Sequence, residues 1–87
     1  MNQHCGIMAI QQDNRTETAV KVQDILTKYG CEIRARLGLR EGYPDQCSDK
    51  GLIILQLCGT EEEQLKMKKE LDVIEKVKVK YMDISNF

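Results

Sequence analysis

Aromatic rings are scarce in this chain, which has no tryptophan, one phenylalanine and three tyrosines. Sheets that bind RNA stack bases on aromatics of their central strands, and the two apolar runs that read here as central strands contain none. Charge of one sign is missing too. Thirteen basic residues face fourteen acidic ones, for a net charge of -1, so no overall field draws the chain to nucleic acid or to an anionic membrane surface. No apolar run approaches the ~20 residues that cross a bilayer as a helix. Cysteine occurs four times, at Cys5, Cys31, Cys47 and Cys58. No two have CxxC spacing, which removes the legible zinc pair and the copper-chaperone motif after a first strand. Residues 1–5 are polar and are not a secretory signal, so reduced thiols in a cytoplasmic protein are expected rather than a disulfide scaffold. The one histidine, His4, lies in a terminus expected to fray. No Ser–His–Asp or Cys–His constellation can be assembled around it, so no catalytic residue is assigned.

What is present is a regular alternation of periods. Gly6-Ile7-Met8-Ala9-Ile10 is unbroken apolar sequence within 5–11, which suits a strand covered on both faces. Residues 12–15 read as a turn, with no glycine to form a phosphate cradle of the acylphosphatase kind. A helix is predicted over 16–29, with Ala19, Val22, Leu26 and Tyr29 on one stripe. Asn14 and Glu17 resemble a capping box at its start, and Gly30 is expected in a left-handed conformation at its end. Residues 31–39 alternate strictly, with Ile33, Ala35, Leu37 and Leu39 on one face and Arg34 and Arg36 on the other. A polar connection holding Gly42, Pro44 and Asp49 follows, then a second apolar strand over 52–58. Thr60 and Glu63 form a full capping box for a second helix, whose apolar side is supplied by Leu65, Met67, Leu71 and Ile74, with Lys66, Lys68 and Lys69 exposed. The acidic run 61–63 is a solvated, dipole-matched helix start. Val77, Val79 and Tyr81 alternate with Lys78 and Lys80 in a last strand over 77–82.

Strand, helix, strand, strand, helix, strand is a single α+β domain over 1–87: a ferredoxin-like βαββαβ sandwich, a four-stranded antiparallel sheet with two helices on one face. The first and third strands are central in that topology, and they are also the two apolar runs. The other face keeps Leu52, Ile54, Gln56 and Cys58 of the third strand and Lys78 and Lys80 of the last. An apolar middle in water marks a contact surface. A chain of this length buries only roughly 60–65% of its unfolded surface, so a homo-oligomer formed through the sheet is expected. Placing Arg34 and Arg36 on that open face, ~6.7 Å apart along the strand, makes them, with Gly38, the candidate ligand-binding residues for a small anion, with Arg40 extending the row.

The segments Arg36-Leu37-Gly38-Leu39, Gly51-Leu52-Ile53-Ile54-Leu55 and Val77-Lys78-Val79-Lys80 resemble a family of small proteins described as iron-only hydrogenase system regulators, with an ACT-like ferredoxin fold. The resemblance runs from Ile7 to about Met82. Many members carry a proline two residues after the glycine; here that residue is Arg40, and the nearest proline is Pro44. The resemblance implies a homo-oligomer built by sheet contacts and a regulatory, non-catalytic role; no cofactor is assigned. The glycine that amino-acid-binding ACT domains often carry after the first strand is absent from 11–15, so that activity does not carry over. The expectation is a sensing module, not an enzyme, that binds a small ligand or a protein partner and makes no direct contact with nucleic acid or membrane. The alternative is a metal- or redox-handling accessory protein using Cys31, Cys47 or Cys58, with no metal ligand set assigned.

Overall fold

The computed structural model describes residues 3–13, 16–40 and 50–85. Strand β1 (His4–Asp13) leads into helix α1 (Thr16–Lys28), a 3-10 turn (Gly30–Glu32) and strand β2 (Ile33–Arg40). Strand β3 (Lys50–Gly59), helix α2 (Glu61–Asp72) and strand β4 (Val77–Asp83) follow. The sheet order is β2-β3-β1-β4, and every pairing is antiparallel. The architecture is thus the expected α+β, ferredoxin-like arrangement, with β1 and β3 central. The expected cap at Asn14 and the connection holding Gly42, Pro44, Cys47 and Asp49 lie outside the described residues.

Burial alternates along β1 and β3, as a two-faced sheet requires. Met8, Ile10, Ile53, Leu55 and Leu57 point toward the helices and meet Val22, Leu26 and Tyr29 of the α1 stripe and Met67 and Leu71 of α2. On α2 the expected Leu65 is exposed, and Gln64 takes the core position one residue earlier. Gln64 stays buried because both ends of its amide are satisfied. Nε2 donates to the His4 carbonyl at 2.8 Å and Oε1 accepts from the Tyr81 hydroxyl at 2.6 Å. Lys68 is half-buried rather than exposed, its ammonium 2.7 Å from Asp72.

Two local expectations are overturned. Gly30 is not left-handed: it opens the 3-10 turn, and the positive φ among non-glycine described residues belongs to Lys76, at 66°. The 3-10 turn lets the chain leave α1 without reversing backbone handedness. His4 is not frayed either. It pairs with Gly59 in β1, and its ring Nε2 lies 2.8 Å from the Tyr81 hydroxyl.

Candidate functional site

The alternation of β2 does not survive intact. Its register with β3 shifts between Ile33 and Ala35, after which Ala35 opposes Gln56, Leu37 opposes Ile54 and Leu39 opposes Leu52. Directly opposed residues of antiparallel strands share a face, and a bulge of one residue transfers every later side chain to the other side. Ile33 therefore packs against the core, whereas Leu37 and Leu39 stand on the open face, 56% and 47% exposed. Arg36 and Gly38, opposite the buried Leu55 and Ile53, lie on the helix side of the edge strand. The predicted row is thus broken. Arg34 sits in the bulge, with Nη2 3.4 Å from Gln3 Oε1, and Arg36 and Gly38 look the other way from the open face. The Arg40 side chain lies outside the described residues.

The open face gains what the row loses. Ile7 and Ala9 of β1, Leu52 and Ile54 of β3 and Leu37 and Leu39 of β2 form one apolar field. Met82, 60% exposed, extends it on β4 beside Lys78 and Lys80. Leu52 and Ile54 were legible as open-face residues from the sequence. Leu37 and Leu39 were not, because nothing in a perfect period-two pattern marks a bulge.

At one end of the sheet a cleft of about 420 Å³ is lined by Gln11, Gln12, Asp13, Lys50, Lys76, Val77 and Lys78. That volume falls in the range of small-ligand sites. Three lysines against one carboxylate give it a basic lining, with Lys76 Nζ 3.9 Å from Asp13 Oδ2. No local pattern marks it, since its residues come from the end of β1, the start of β3 and the entry to β4.

At the opposite end two side-chain groups converge. His4 lies between carboxylates, with Nδ1 3.4 Å from Glu61 and Nε2 3.5 Å from Asp83. Among the described residues these three could offer ligand atoms to a metal ion. Each carboxylate addresses a different ring nitrogen, and Nε2 lies closer to the Tyr81 hydroxyl, at 2.8 Å, than to Asp83. Asp83 is held below the ordinary carboxylate range mainly by the Ser85 backbone N–H, 2.8 Å from Oδ1. On the open face Cys5 opposes Cys58, their sulfurs 2.7 Å apart. Sharing a hydrogen bond with Cys58 raises the Cys5 thiol above its ordinary value, and burial adds to this. Cys31 is exposed in the 3-10 turn, and Cys47 lies outside the described residues.

No known family profile and no curated protein matches the sequence. Among solved structures the fold is similar to that described as the structure of uncharacterized protein TM1266 from Thermotoga maritima. The TM-score is 0.82 at 22% identity, over 95% of this chain and 99% of that one. Likeness at that identity establishes the fold.

Proposed function

We propose that this chain is a small non-catalytic regulatory or sensing module that works as a homo-oligomer packed through its open sheet face. The observation that carries the reading is the apolar field of Ile7, Ala9, Leu37, Leu39, Leu52 and Ile54, which the helices leave uncovered. Its occupant is a second copy of the chain. Four strands at ~4.8 Å and about seven residues at ~3.3 Å give a face of roughly 400 Å² in projection. Side chains standing off the sheet raise its accessible area toward the ~800 Å² per partner of a specific interface. An apolar patch without acidic groups at its centre can meet its own copy under a two-fold axis.

The basic cleft beside Lys50, Lys76 and Lys78 supports binding of a small anionic ligand, at a place other than Arg34, Arg36 and Gly38. The resemblance to iron-only hydrogenase system regulators, ACT-like in fold, supports the same class of role, exerted through a ligand or a partner protein. Sedimentation equilibrium at tens of micromolar tests the reading. The parent protein is expected to exceed the 10.0 kDa of one chain. Ile54→Asp, which sets an unpaired charge mid-face, is expected to give folded monomers. A monomeric parent would remove the proposal.

A further inference from the structure

Cys5 and Cys58 face each other across the two central strands, and nothing in the regulatory reading uses them. They are directly opposed residues of an antiparallel ladder. Opposed residues have Cα atoms ~4.5 to ~5.5 Å apart, inside the ~4.4–6.8 Å range a disulfide spans. Both side chains are half-buried on the same face, with sulfurs already in contact at 2.7 Å. Cys5 is anchored by the segment that follows β4. The Cys5 carbonyl accepts from the Ile84 N–H at 2.9 Å and from the Ser85 hydroxyl at 3.1 Å, and the Cys5 N–H donates to the Ser85 hydroxyl at 2.7 Å. Closing an S–S bond therefore asks for side-chain rotation and no change of register.

We propose that Cys5 and Cys58 form a reversible dithiol–disulfide couple whose oxidant is a low-molecular-weight disulfide. One thiolate attacks a sulfur of the small disulfide, making a protein mixed disulfide and expelling the first small thiolate. The second cysteine, losing its proton to solvent, attacks the protein sulfur of that mixed disulfide. The Cys5–Cys58 bond forms, the mixed S–S bond breaks and the second small thiolate leaves. The protein loses two electrons and two protons, and the small disulfide gains the two electrons and leaves as two thiols. Contact between the sulfurs makes the second step intramolecular, so the mixed disulfide does not accumulate. The bond would tie β1 to β3 at the rim of the open face and leave the exposed Cys31 out of the couple.

The test is to equilibrate the full chain with glutathione disulfide and glutathione at graded ratios, quench with acid and read thiols by alkylation and peptide mass mapping under denaturing conditions. That readout is independent of the oligomeric state, so it stands or falls apart from the interface. The expected result is a peptide linked through Cys5 and Cys58, with no glutathione on either, reverting with dithiothreitol. Cys5→Ser and Cys58→Ser proteins should each instead retain glutathione on the remaining partner. Cys5 and Cys58 staying alkylatable at the most oxidising ratio, carrying stable glutathione in the parent, or linking to Cys31 or Cys47 would each overturn the proposal.

Discussion

Single side chains at the two ends of the helix–sheet interface fix its geometry. A Cβ on Gly6 would lie 2.6 Å from Tyr81 Cε1, and that ring cannot withdraw without releasing its bonds to His4 and Gln64. Gly6→Ala should therefore cost about 1–3 kcal/mol in urea unfolding, the scale of overpacking. Glu70 accepts from the Tyr29 hydroxyl and, at 2.9 Å, from the Lys28 ammonium. The Tyr29 bond first and the Lys28 bond second hold its pKa below the ordinary 4.5. As pH falls the unfolded chain takes up this proton before the folded one. The stabilisation is thus complete above about 4.5 and is lost as pH drops through the lower folded value. Glu70→Gln should flatten the acid limb of a plot of Tm against pH and leave its shape at neutral pH unchanged.

Among the elements, α2 shows how a local signal is completed from elsewhere. Thr60 caps it as its sequence announces, its Oγ1 accepting from the Glu63 N–H at 3.2 Å. The reciprocal half of the box is not made by Glu63. Glu32, from the 3-10 turn, accepts from the Thr60 N–H at 3.2 Å. A Cβ at Gly59 would collide with that same carboxylate. Glu63 instead lies 3.7 Å from Lys66, an exposed contact of little worth. Thr60→Ala should cost about 1 kcal/mol. Glu32→Ala should lower the denaturant midpoint more than Glu63→Ala, the reverse of what a local capping box predicts.

For the whole molecule the bulge in β2 is decisive, because it chooses which residues of the edge strand stand on the open face. Leu37 and Arg36 are neighbours in sequence and opposites in space. In the proposed homo-oligomer, Leu37→Glu should give monomers in sedimentation at tens of micromolar that remain folded, since the side chain it replaces is already exposed. Arg36→Glu, on the helix side, should leave the assembly intact. An assembly that tolerates Leu37→Glu and fails with Arg36→Glu would place the contact on the wrong side of the sheet.

Element order, the central place of β1 and β3, the α1 stripe and the Thr60 cap were legible along the chain. Each rests on contacts within a few residues or on a period that burial imposes directly. Tertiary structure alone decided five matters: the face carrying Leu37, Leu39 and Arg36, the buried role of Gln64, the anchoring of His4, the opposition of Cys5 to Cys58 and the positive φ at Lys76. A bulge is set by how β2 registers against β3, and no residue in 33–39 encodes it alone. Gln64 reads as surface until His4 and Tyr81, 60 and 17 positions away, supply its hydrogen bonds. Lys76, not Gly30, takes the positive φ because the chain must reverse into β4, where the Lys76 carbonyl accepts from the Asp13 N–H at 3.3 Å. Polar satisfaction and strand register are properties of pairs distant in sequence, so a one-dimensional pattern could not assign them.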